Sequence, residues 1–115
     1  MSNAIIERAR LHFKADEPRR IEVPEWGESD KKPLVLFTAP ITLADKKQLH
    51  TRYKDGGLQE MYVHALILKA RTADGKPAFD VGDKRDLMHA SDPDVVERIA
   101  QQILHVADQE DAAKN

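Results

Sequence analysis

The spacing of apolar residues changes along the chain, and each change marks a different element. From Ile5 to Arg20 the apolar positions Ile5, Ile6, Ala9 and Leu11 give a weak helical pattern that runs into Ala15-Asp16-Glu17-Pro18-Arg19-Arg20, so this stretch reads as an arm or a short frayed helix. Ile21-Glu22-Val23 then alternates as a strand does, and Pro24, which has no amide to donate, marks a strand end or an edge. Residues 27–32 are polar and form a turn. Leu34-Val35-Leu36-Phe37 is an apolar run bounded by Pro33 and Pro40, which is the length of a strand and too short for a helix. The two runs together predict a β-hairpin.

The period then becomes helical. Thr42 stands at an N-cap position with Asp45 following it, so that the hydroxyl takes a free amide and the carboxylate favours the positive helix end. A helix phased by Leu43, Lys46 or Lys47, Leu49 and Tyr53 is expected to stop at Gly56-Gly57, where the backbone is permissive. Beyond that break Leu58, Met61, Tyr62, Ala65, Leu66 and Lys69 repeat at helical spacing, and Val63, Ile67 and Leu68 make the segment apolar nearly all round. It reads as the central, most buried helix. Asp74-Gly75 signals a turn, and Phe79 and Val81 follow as isolated apolar anchors. Asp83 is placed to cap a short helix through Leu87 and Met88, and Ser91 or Asp92 to cap another with Pro93 in its first turn. In that last helix Val95, Val96, Ile99, Ala100 and Ile103, with Val106 or Ala107, line one face, the clearest amphipathic pattern in the chain. The expected fold is therefore α+β and mostly α: a short N-terminal β-hairpin followed by three or four packed helices. Residues 1–20 form an arm or short helix, 21–108 a single globular domain and 109–115 a polar frayed tail.

Composition narrows the function. A length of 115 residues suits one core, and 33% charged residues with a net charge of -2 spread both signs over the surface. Without a basic excess, nucleic acid is not expected as the main ligand. The absence of cysteine excludes disulfides, thiolate zinc sites and cysteine nucleophiles. No run approaches the roughly 20 apolar residues that cross a bilayer, and the start lacks the apolar core of a signal peptide, so a cytoplasmic protein with no membrane partner is expected. Ser2-Asn3-Ala4 after Met1 match both a common expression-tag remnant and a native start.

The search for reactive chemistry yields little. His12, His50, His64, His89 and His105 are scattered, with no pair at ligand spacing beside a carboxylate, so no metal is expected. Ser29 and Ser91 lack a nucleophile context, Gly56-Gly57 lacks the spacing of a phosphate loop, and Asp92-Pro93-Asp94 is explained by capping better than by a cation. No catalytic residue and no cofactor site are assigned. Trp26, beside Gly27, is the residue that most invites a binding role, although in a chain with few aromatics its ring more often closes over the core. The stripe of the last helix is likewise more often core than interface. A short chain with an almost wholly apolar helix still needs cover, which a partner or a second copy can supply. Trp26, Val96, Ile99 and Ile103 are accordingly the candidate partner-binding residues.

The order of these features resembles the tail assembly chaperones of siphophages and related prophages. The resemblance rests on Ile21-Glu22-Val23-Pro24-Glu25-Trp26-Gly27, which is similar to a "V-P-E-W-G" type opening, and on an apolar central helix ending at Leu68-Lys69-Ala70-Arg71. It continues through Ala73-Asp74-Gly75-Lys76-Pro77-Ala78-Phe79, which looks like a "D-E-D-G-x-x-x-F" turn, and the amphipathic helix from Val95 to Leu104. It spans roughly residues 21 to 105 through short motifs, and Ala73 departs from the acidic residue usual before Asp74. Membership would imply a non-catalytic protein that binds the long helical tape measure protein before the tail tube forms. It would also imply, in many such phages, a frameshifted longer product that recruits tail tube protein, with Ala112-Ala113-Lys114-Asn115 near the frameshift site. The competing expectations are a structural virion protein, such as a head-tail connector or tail completion subunit, and a small enzyme using His64 or His89 with a carboxylate.

Overall fold

The computed structural model describes residues 3–13 and 18–104. Helix α1 (Ala4–Phe13) is followed by strands β1 (Arg19–Val23) and β2 (Leu34–Thr38), the long helix α2 (Leu43–Lys69), and the shorter helices α3 (Lys84–His89) and α4 (Pro93–Ile103). The fold is α+β, with the predicted hairpin ahead of the helices. Strands β1 and β2 pair antiparallel, Ile21 opposite Leu36 and Val23 opposite Leu34. This register sends Ile21, Val23, Leu36 and Thr38 into the core and leaves Glu22 outside, as a two-residue period requires. Arg71 continues the sheet, exchanging backbone hydrogen bonds of 2.8 Å in both directions with Phe37 and bridging to Pro77. The predicted Asp74-Gly75 turn closes through the Gly75 amide, which donates to the Thr72 carbonyl at 2.9 Å.

Helix α2 is a helical hairpin. In a straight helix Asp45 and Lys69 would lie about 36 Å apart at 1.5 Å per residue. Instead the Lys69 ammonium donates to the Asp45 carboxylate at 2.9 Å. The chain reverses at Gly57, where φ is 89° and ψ is -173°. Side chains rarely tolerate that backbone, so glycine is what lets residues 43–56 and 58–69 fold back on each other. The same carboxylate accepts from the Thr42 amide at 3.0 Å while the Thr42 hydroxyl accepts from the Asp45 amide at 3.0 Å, a complete capping box. Burial alone would raise the Asp45 pKa; the Thr42 amide and the Lys69 ammonium together outweigh it and hold the carboxyl below its usual value.

The core lies where β1, β2, α4 and the second arm of α2 meet, around Ile21, Leu36, Leu66, Ile99 and Ile103. Five residues of α4 are buried, and five of α2: Leu49 on its first arm, with Tyr62, Val63, Ala65 and Leu66 on the second. The arm expected to be the central, most buried helix is part of this core, but α4 buries one residue more, five against four. Among the described residues, no helix is long and apolar enough to cross a membrane.

Several local expectations need correction. The stretch expected to be an arm or short helix holds helix α1, but its boundary at residue 20 is late: β1 begins at Arg19, whose guanidinium donates to the carbonyls of Gln102 and Ile103 at the C-terminal end of α4. A cation at that end satisfies free carbonyls and meets the negative pole of the helix. Of the residues expected to phase the first arm of α2, only Leu49 is buried; Leu43 is 85% exposed and Tyr53 50%. Asp83 does not cap α3 with its side chain. It accepts from the Asp80 amide at 2.9 Å, fixing the 3-10 turn Val81–Asp83 that leads into the helix. Asp92, not Ser91, caps α4, accepting from the Asp94 amide at 3.0 Å, while Ser91 donates to the Asp86 carbonyl. The predicted tail 109–115, with His105, Val106 and Ala107, lies outside the described residues.

Candidate functional site

Two open cavities of about 330 and 360 Å³ adjoin, sharing Leu87 and Ser91 in their walls, and are together termed the trough. Tyr62 and Val63 from the second arm of α2, Met88 from α3, and Pro93 and Val96 from α4 line the first. Trp26, Ala78 and Phe79 line the second. Each wall is set by a local device. Pro24 starts a 3-10 turn, Pro24–Trp26, that ends β1 and swings Trp26 against Phe79, ring edge to face, with centroids 6.2 Å apart. A Cβ on Gly27 would stand 2.4 Å from the Lys32 carbonyl oxygen and 2.7 Å from Pro33 Cα, so only glycine lets the chain turn back so closely there. Glu25 and Arg98 form a two-pronged ion pair, at 2.5 and 2.7 Å, that ties this turn to α4.

That pairing perturbs both partners. The Arg98 hydrogen bonds hold the Glu25 carboxyl down at about 2, and Glu25 in turn raises Arg98. Along the trough itself Asp83, Asp86 and Glu97 are the acids, and no lysine or arginine lines either cavity. None of these three carboxylates joins an ion pair among the described residues.

The four candidate partner-binding residues divide sharply. Trp26 is half-buried and lines the trough, and Val96, 5% exposed, contributes to its wall. Ile99 and Ile103 are 0% exposed, so the expectation that they meet a partner is corrected: they close the core. The helical stripe correctly marks a buried face, but an intramolecular face and an intermolecular one have the same periodicity. Leu87, Met88 and Phe79 complete the trough, and none of them is among the four candidates the sequence offers. Phe79 carried the one usable signal, an isolated aromatic beyond a turn in a chain with few aromatics.

His64 and His89 do not converge. His89 lines the first cavity of the trough, whereas His64 lines a separate cavity of about 110 Å³ with Arg52, Glu60 and Lys84. Burial, then the charges of Arg52 and Lys84, push the His64 pKa down, and its Nε2 is enclosed without a hydrogen-bond partner. The Lys84 ammonium is paired with Glu60 at 2.8 Å. Among the described residues, no three histidines or carboxylates are grouped so as to hold a metal.

No protein-family model matches the chain, and neither curated proteins nor solved structures include one significantly similar to it.

Proposed function

We propose that this chain is a non-catalytic tail assembly chaperone whose trough holds an amphipathic segment of the tape measure protein until tail tube protein assembles around it. The observation that carries the reading is the trough: two adjoining open cavities, one with Trp26 and Phe79 and the other with Met88, Pro93 and Val96 among their apolar lining. An amphipathic helix laid in a groove buries anchors at three- and four-residue spacing, and a flexible methionine adapts to their shape. The order of the Trp26-Gly27 opening, the Asp74-Gly75 turn and the last helix supports the same assignment. Binding of this kind needs no turnover, and it is compatible with a bacterial cytoplasm.

Co-expression with the tape measure protein tests the proposal. The soluble yield of that protein should rise, the two should co-purify, and Met88→Asp in the trough should abolish both effects while the chain stays folded. Unchanged yield together with no co-purification would refute the assignment. Retention of the chain in purified virions would point instead to the head-tail connector or tail completion reading, because a chaperone leaves before the particle is finished.

A further inference from the structure

We propose that the trough accepts helix α1 of a second copy of this chain, giving a reciprocal dimer. The starting observation is that α1 has ten residues and buries none of them. Isolated helices shorter than about 12 residues are marginal in water, so a helix of this length gains its stability from a surface it packs on. At helical spacing Ile5, Ile6, Ala9 and Phe13 fall on one face, with Arg10 along one edge and Arg8 and His12 along the other. Ile5 is 64% exposed and Ile6 48%. The face is apolar and its borders are basic.

The trough has the complementary chemistry. Its apolar walls are accompanied by Asp83, Asp86 and Glu97 with no basic side chain but His89 among them. Laying Ile5 and Ile6 against Leu87, Met88 and Val96 would bring Arg8 and Arg10 towards these carboxylates, none of which joins an ion pair among the described residues, so that apolar contact supplies affinity and charge sets partner and orientation. The chain's own α1 does not occupy the trough, since it buries none of its residues. Exchange between two copies closes with two-fold symmetry, each trough receiving one helix. The dimer so formed would compete with any other segment entering the trough, making it the resting form of the protein.

Sedimentation equilibrium on the full chain, alone, is the test, and its outcome is independent of co-expression with any partner. The chain should sediment at twice its monomer mass. Ile6→Asp should weaken the dimer at least tenfold, as should Arg8→Glu with Arg10→Glu; these variants alter a helix that buries nothing, and circular dichroism and thermal unfolding of the monomer should confirm an intact core. Mixing the Arg8→Glu, Arg10→Glu chain with an Asp86→Lys, Glu97→Lys chain should restore association. A wild-type chain that stays monomeric into the millimolar range would overturn the proposal. So would a dimer indifferent to Ile6→Asp, or charge reversals that show no recovery on mixing.

Discussion

Helices α1 and α4 are nearly equal in length, ten and eleven residues, and both carry branched aliphatic residues and arginines. Yet α4 buries five residues and α1 none. Three features separate them. Apolar residues of α4 recur at Val95, Val96, Ile99, Ala100 and Ile103, a continuous stripe over its whole length, whereas in α1 Leu11 falls opposite Ile5 and Ile6 and divides the apolar residues between two faces. Helix α4 is also held at three points, by its own cap Asp92 at its start and, from elsewhere in the chain, by Glu25 on Arg98 midway and Arg19 at its end. Finally, α4 lies against the second arm of α2, which Gly57 has turned back to meet it. Among the described residues, helix α1 has only Asn3, which accepts from the Ile5 amide at 2.8 Å. Amphipathic character within a helix is therefore not enough to bury it; the rest of the chain must supply a surface and fix the helix upon it.

The largest test of that contrast is truncation on the two helices. Ile99→Ala removes three carbons from a site that is 0% exposed, and it should cost about 2 to 5 kcal/mol through lost transfer energy and the cavity left behind. Leu11→Ala, on a residue 77% exposed, should change stability by less than about 0.5 kcal/mol. Urea unfolding at concentrations where any dimer has dissociated checks both. Equal effects would mean that α1 packs on its own chain after all.

A smaller but more specific loss should follow from Gly57→Ala. The reversal of α2 depends on a backbone that alanine adopts only with strain of about 1 to 3 kcal/mol, and the Asp45–Lys69 pair holds the two arms together against it. The measured midpoint should fall accordingly, and hydrogen exchange in α4 should quicken along with that in residues 58–69. Protection lost in the first arm of α2 alone would show that α4 does not depend on the hairpin.

Much of this arrangement could be read from the chain. Alternation at Ile21 and Val23, the capping pair at Thr42 and Asp45, the break at Gly57 and the stripe of α4 are all local, and each one recovers its element. What could not be read is which element each would meet. Arg19 and Gln102 are 83 positions apart, and nothing near Arg19 suggests a helix end for it to cap. Asp83 stands where a cap for α3 is expected, and its sequence does not show that its carboxylate turns back instead to the Asp80 amide. The trough is assembled from Trp26, Phe79, Leu87 and Val96, four stretches joined only by the tertiary fold, so the stripe pointed to Ile99 and Ile103 while the accessible surface lay at its margin. Trp26 was recoverable because a lone tryptophan beside glycine draws attention by composition alone.

Cap removal gives a third comparison. Asp92→Ala should cost about 1 kcal/mol, because the freed Asp94 amide belongs to a helix whose unfolding is part of global unfolding. Asn3→Ala breaks the corresponding bond in α1 and, at concentrations where any dimer has dissociated, should leave the global transition unmoved while lowering helical content slightly in circular dichroism. The contrast between a lost midpoint and a lost signal would locate α1 outside the cooperative unit.

The smallest effect expected is at acid pH. Glu25 is held at about 2 in the folded chain against an ordinary 4.5, because Arg98 donates to its ionised form. The unfolded chain therefore takes up a proton first as pH falls, and folding loses the benefit of the pair progressively between about 4.5 and 2; above that window the benefit is fully present. Glu25 is well exposed, so solvent and salt screen much of it. Glu25→Gln should flatten the acid limb of the stability curve relative to wild type, and the difference should shrink in high salt. Since the pair anchors α4 and has no counterpart on α1, amide exchange below pH 4 should quicken in α4 of the wild type while exchange in α1, corrected for intrinsic pH dependence, stays as it was. A variant curve parallel to wild type through the whole window would mean that the ion pair does not help to hold α4, leaving its packing and its two end caps as the features that distinguish it from α1.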